Sequence, residues 1–153
     1  MHLGSRKATL LVHFSQFPNL ETVWLNDNRL TSLAGIEGNF RIKHLFLQNN
    51  KLRSIDSVFA LLRHIETLVL YDNELRDLDG LLTSLRPLSS MQHLDLFDNP
   101  AAHEPNYKMR VLNDLQQLQI LDRHKLTLPE KEEAVRFMSQ AKGKKKNHRP
   151  FAW

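Results

Sequence analysis

Apolar residues recur along this chain in one nine-residue arrangement, apolar-x-x-apolar-x-apolar-x-x-Asn, followed by further apolar positions at wider spacing. The first copy is Leu20, Val23, Leu25 and Asn28, trailed by Leu30, Leu33 and Ile36. The second is Ile42, Leu45, Leu47 and Asn50, trailed by Leu52, Ile55 and Val58. The third is Ile65, Leu68, Leu70 and Asn73, trailed by Leu75, Leu78 and Leu81. A fourth opens as Met91, Leu94, Leu96 and Asn99 and departs at Pro100. The asparagines are 22, 23 and 26 residues apart. A repeat of about that length is the signature of a stacked architecture.

Each position has a physical task. The apolar-x-apolar alternation has the period of a strand and places its side chains on one face. The asparagine falls where the chain must turn out of that strand, and its amide can both donate to and accept from backbone groups buried by the turn. Stacked copies therefore predict an asparagine ladder. The later leucines, three residues apart, suit a short helical or 3₁₀ turn on the opposite, convex side. A single copy cannot bury its apolar face; stacking supplies the partner and aligns the strands as a parallel concave sheet. Asp27, Asp72 and Asp98, each just before a ladder asparagine, are explained by turn chemistry.

The ends are read as covers. Residues 1–19 form a partial N-terminal repeat or cap, with residues 10–17 as the convex half of an earlier, incomplete repeat. Residues 20–99 hold the repeats, 100–141 a C-terminal cap and helix, and 142–153 a basic extended tail. Helical spacing of Tyr107, Val111, Leu112 and Leu115 predicts one helix, and Leu118-x-x-Leu121-Asp122 begins one more repeat-like strand. Thr127-Leu128-Pro129-Glu130 reads as a helix start, with Thr127 as N-cap and Glu130 three residues on, and the helix runs to about Ala141.

These residues resemble the leucine-rich-repeat family, in its short class of about 22 residues. Asn99-Pro100, Tyr107, Val111-Leu112, Leu115 and Leu118-x-x-Leu121-Asp122 are similar to that class's C-terminal cap, which a protein phosphatase 1 regulatory subunit, dynein light chain 1 and the spliceosomal A-prime protein share. In residues 23–28, 45–50 and 72–79, with Met91-Gln92-His93-Leu94 and Leu121-Asp122-Arg123, the chain most resembles the ciliary type, the family of leucine-rich-repeat-containing protein 72. The resemblance covers roughly residues 14–138 and fails at the cap loop 101–106. It implies an α/β leucine-rich-repeat solenoid with a parallel concave sheet, a helical or 3₁₀ convex side, and a C-terminal cap and helix. It also implies protein binding. The first expectation is a structural or assembly component of the ciliary axoneme or flagellum, part of the cytoskeleton, with axonemal or microtubule-associated partners. The alternatives are a nuclear ribonucleoprotein scaffold like the A-prime protein, which grips a helix of an RNA-binding partner, and an enzyme regulatory subunit.

Strand register predicts what the concave face presents. One column holds Thr22, His44, Thr67 and His93; the next Trp24, Phe46, Val69 and Asp95; the third Asn26, Gln48, Tyr71 and Phe97. Since the repeat leucines already fill the inward positions, Trp24, Phe46, Val69, Tyr71 and Phe97 are extra apolar residues on an exposed face, as at interfaces. Together with His44, His93 and Asp95 they are the candidate partner-binding residues, and a helix or loop in the groove is the simplest ligand.

Composition changes little in this picture. The 153 residues are 41% hydrophobic and 25% charged, as in an ordinary folded domain. Cysteine is absent, which excludes disulfides and thiolate metal sites and fits a reducing compartment. No apolar run approaches the roughly 20 residues of a membrane helix. The net charge is +4, but Lys142, Lys144, Lys145, Lys146 and Arg149 contribute five positive charges with no acid after them, leaving −1 on residues 1–141. Basicity thus belongs to the tail, which offers a grip on an acidic surface such as tubulin tails or RNA phosphates. The eight histidines lack the spacing of a metal or general-base motif, Gly35-Ile36-Glu37-Gly38 lacks the lysine of a phosphate loop, and no serine has a nucleophile's setting. The sequence therefore predicts no enzyme, no cofactor, no small-molecule substrate and no membrane partner.

Overall fold

The computed structural model describes residues 1–5, 7–9, 11, 14–55 and 57–146. It is a stack of repeats carrying one six-stranded sheet, with β1 (Thr22–Trp24), β2 (His44–Phe46), β3 (Thr67–Val69), β4 (His93–Asp95), β5 (Ile120–Leu121) and β6 (His124–Lys125) adjacent in sequence order. β1 to β5 pair in parallel, in the register the repeat implies: Trp24 faces Phe46, Phe46 faces Val69, and Val69 faces Asp95. Val23, Leu45, Leu68 and Leu94, the inward residues of successive strands, are fully buried with the trailing leucines in one continuous core. Stacking is what buries them, because a three-residue strand has too little surface of its own.

Asn28, Asn50, Asn73 and Asn99 form the expected ladder. Each Nδ2 donates to carbonyls of its own strand and of the preceding repeat, as Asn73 does to Leu70 and Leu47 (2.9 and 3.0 Å). Each Oδ1 accepts a backbone N–H from the preceding repeat, as Asn99 does from Leu75 (3.1 Å). The residue before each ladder asparagine, Asp27, Asn49, Asp72 and Asp98, has φ between 51° and 58°. Asp and Asn tolerate that left-handed region better than other side chains, which accounts for their place here. Gly35 has φ 105°, and a Cβ there would come within 2.3 Å of the Leu11 carbonyl oxygen, so only glycine fits.

The convex side follows repeat length. The 23-residue interval between Asn50 and Asn73 holds a 3₁₀ turn at Ser57–Ala60, and another, Phe14–Gln16, precedes β1. The 26-residue interval between Asn73 and Asn99 admits α1 (Leu78–Leu85), capped by Asp77, whose carboxylate accepts from Gly80 N at 3.0 Å. After a 3₁₀ turn at Pro100–His103, α2 (Tyr107–Asp114) and α3 (Leu128–Lys146) pack together over the last repeats.

Three features differ from expectation. First, residues 1–5 lie along β1 as a further strand-like segment, with Leu3 N bonded to Trp24 O (2.8 Å) and Trp24 N to Met1 O (2.9 Å). Second, the strand after Leu118 does not simply stop. It turns through Asp122 and Arg123 (φ 48° and 67°) and returns as β6, antiparallel to β5. Positive φ at both central residues matches the twist of a two-residue hairpin, although glycine is the usual choice. Third, α3 continues to Lys146, so Lys142, Lys144, Lys145 and Lys146 stand on helical backbone rather than in an extended tail. Lysine and alanine are good helix formers, and one glycine at 143 costs only about 1 kcal/mol. Arg149 and the aromatic residues 151 and 153 lie outside the described residues.

Glu130 clasps the cap. Its Oε2 accepts from Thr127 N and Oγ1, both at 2.8 Å, while Oε1 accepts from Lys108 Nζ at 2.7 Å and lies 3.0 Å from His124 Nε2. The Lys108 ammonium, aided by the two Thr127 donors, holds this carboxyl well below the usual range. A depressed folded-state pKa gives stability that is full above the unfolded value near 4.5 and is lost as pH falls through the folded pKa. Thermal melts of the wild type and Glu130→Gln should therefore differ most at neutral pH and converge on acidification below about pH 4. A gap that widens at low pH would contradict this origin.

Candidate protein-binding groove

The concave face carries the three predicted columns. Thr22, His44, Thr67 and His93 are half-buried along the first. In the second, the rings of Trp24 and Phe46 stack at 5.4 Å between centroids with planes 5° apart. His2 extends the row, its ring 5.9 Å from that of Trp24. Repeat spacing does carry a signal for His2, since Met1 and Leu3 stand 22 residues before Val23 and Leu25. The shift of one column brings Asn26, Gln48 and Tyr71, all half-buried, and Phe97, which is 53% exposed.

Val69 and Asp95 are not exposed as expected; they retain 7% and 3% of their surface. Arg123 is the cause at Asp95. Its Nε donates to Asp95 Oδ2 at 3.0 Å, and Phe97 N donates to Oδ1 at 3.1 Å. The guanidinium carbon lies 4.6 Å from the Tyr71 ring centre and 5.1 Å from that of Phe97, within cation–π range of both. Val69, short and β-branched, sits in register between Phe46 and this covered aspartate. No repeat position predicts Arg123; it reaches the face only through the hairpin after β5.

The same hairpin anchors the covered end. Asp122 Oδ1 accepts from Leu96 N at 2.7 Å and Oδ2 from the Tyr107 hydroxyl at 2.9 Å. Burial pushes the Asp122 carboxyl above its ordinary value, against the pull of those two donors. Burial and the neighbouring carboxylate of Asp122 push the Tyr107 phenol far above its own. The groove is thus polarised: an aromatic stack over β1 and β2, and a guanidinium held on two rings over β3 and β4.

His44 and His93 share a column with Thr67 between them, two strand spacings or about 10 Å apart. Among the described residues no group of three His, Cys, Asp or Glu side chains is placed to hold a metal. Outside the groove, Phe17, Phe40 and Leu61 are exposed at 45%, 53% and 54%, a feature the repeat pattern did not indicate.

A sheet of stacked parallel strands, an asparagine ladder and a covered end define a solenoid of the kind that presents a groove to other proteins. The chain belongs to the leucine-rich-repeat family, which matches residues 10–150. It is similar to the U2 small nuclear ribonucleoprotein A' of Arabidopsis thaliana, 28% identical over 139 residues that make up 90% of this chain and 46% of that protein. It is likewise similar to a probable U2 small nuclear ribonucleoprotein A' of Caenorhabditis elegans, 26% identical over 126 residues, 82% of this chain and 49% of the other. The chain spans about half the length of these two relatives. Among solved structures, the Drosophila melanogaster SNF/U2A' complex gives a TM-score of 0.85 at 25% identity, covering 94% of this chain and 83% of that one. An internalin (inlF) of Listeria monocytogenes shares the fold, with a TM-score of 0.66 at 20% identity over 78% of this chain and 33% of the other. These likenesses fall on the ribonucleoprotein side of the expectations and lend nothing to the ciliary one.

Proposed function

We propose that this chain is a non-catalytic scaffold that holds a protein partner in its concave groove, and that its setting is a nuclear ribonucleoprotein rather than the ciliary axoneme. The observation that carries the groove is the aromatic strip. Trp24, Phe46, Tyr71 and Phe97 keep exposed surface although the core is already filled by the repeat leucines. Rigid aromatics in a concave row are the usual anchors of an interface. The similarity to a U2A' protein solved in complex with SNF supports a protein ligand and the nuclear setting. The axonemal reading rests only on the resemblance of residues 23–28, 45–50 and 72–79, with 91–94 and 121–123.

Trp24→Ala and Phe46→Ala should each weaken partner capture by roughly 30-fold or more, the scale of a hot-spot truncation, while circular dichroism and melting stay close to the wild type. Undiminished capture by both variants would remove the strip from the interface. For the setting, the tagged chain should be recovered from nuclear extract with small nuclear RNA. Exclusive recovery with detergent-extracted axonemes would replace the nuclear assignment.

A further inference from the structure

We infer that the C-terminal half of the groove is a carboxylate receptor, and that its occupant is an amphipathic helix bearing an Asp or Glu about seven residues from the apolar side chain it seats on Trp24 and Phe46. This rests on the groove reading above and sharpens it to one ligand chemistry.

Arg123 is held by an ion pair and two ring contacts together. Its Nε is committed to the buried Asp95 carboxylate, and its flat face lies on the Tyr71 and Phe97 rings. The side chain nevertheless keeps 57% of its surface. Its Nη1 and Nη2 have no partner among the described residues, and neither has the Tyr71 hydroxyl. Guanidinium groups bind planar carboxylates through paired N–H donors, and clamping removes most of the rotamer entropy that such a bond otherwise costs. Asp95 and Asp122 do not compete for those donors. Asp95 is neutralised through Nε, and both oxygens of Asp122 are occupied by Leu96 N and Tyr107 Oη.

The spacing follows from the sheet. The Trp24–Phe46 stack belongs to β1 and β2, and Arg123 lies over the residues that follow β3 and β4, two strand spacings on, or about 10 Å. A helix crossing the strands rises about 1.5 Å per residue, so about seven residues, two full turns, separate the two contacts, and residues that far apart share a face.

The test is a displayed library of helical peptides, randomised along one face and selected on the immobilised full chain. Acidic residues should be enriched about two turns from a large apolar one. Selected peptides, labelled and titrated by fluorescence anisotropy at low salt, should bind Arg123→Gln at least tenfold more weakly, Arg123→Lys by an intermediate amount, and Phe46→Ala hardly at all. Circular dichroism of Arg123→Lys guards against loss of fold. Helices enriched without an acidic position, or equal binding to Arg123→Gln, overturn the carboxylate receptor and leave the groove standing. Retention of no helix by the wild-type chain, or peptides indifferent to Phe46→Ala, overturns both.

Discussion

Alanine in place of Asn99 should destabilise the folded chain by about 3–5 kcal/mol, more than the same change at Asn50, which should cost about 2–3 kcal/mol. Both asparagines are buried, at 0% and 2% exposure, and both make four hydrogen bonds. The difference lies in what remains after truncation. Without Asn50, Leu30 N loses its acceptor, but the Leu25 carbonyl keeps Asn28 and the Leu47 carbonyl keeps Asn73 as donors. Without Asn99, Leu75 N is orphaned, and Leu96 O loses the donor that the ladder gives it, because no further rung follows. An unpaired buried polar group costs about 1–3 kcal/mol, far more than the mean worth of a bond that has a substitute. Urea unfolding with unchanged m-values would measure both. Equal losses, or a loss below 1 kcal/mol at Asn99, would show that the ladder does not hold the stack in this way.

The repeats were legible because their information is local and redundant. Period-two apolar residues, a turn asparagine and a fixed interval each point to the same strand, so the register from Thr22 to Asp95 could be written down residue by residue. What the sequence hid depends on contacts between distant segments or on a repeat whose key residue is replaced. Residues 1–5 match a strand only if Arg6 is accepted where the pattern asks for asparagine. The hairpin at Asp122-Arg123 lacks the glycine that usually signals such a turn. The outward column predicts an exposed Asp95, and the side chain does belong to that column; its burial comes from an arginine 28 residues later in the chain. The site was thus legible as a row of outward aromatics and illegible as a surface already partly covered by the cap. That distinction matters for function, since the cover pairs the acid of the groove with a guanidinium whose side chain stays 57% exposed.

Asp122→Ala should cost about 3–4 kcal/mol and loosen the whole C-terminal end, where Asp122→Asn costs much less. The carboxylate stands in for the backbone carbonyl that the next strand would have supplied: as the chain swings away at the hairpin, Oδ1 takes the Leu96 N–H. Alanine orphans that N–H together with the Tyr107 hydroxyl, and adds about 1 kcal/mol for a left-handed backbone at a residue that resists it. Asparagine keeps an acceptor for Leu96 and suits φ 48°. The two side chains then part with pH. Burial raises the Asp122 carboxyl above its ordinary 3.8, so ionisation is harder in the fold than in the unfolded chain and weighs against folding at neutral pH. That penalty disappears as pH falls through the folded pKa toward 3.8, while the neutral asparagine is unaffected. The stability of the wild type relative to Asp122→Asn should therefore rise on acidification, opposite in sign to the Glu130→Gln comparison a few residues away. Two carboxylates of one cap, one desolvated and one ion-paired at the surface, thus give opposite slopes, and finding the same slope for both would mean that Asp122 is held by charge rather than by burial.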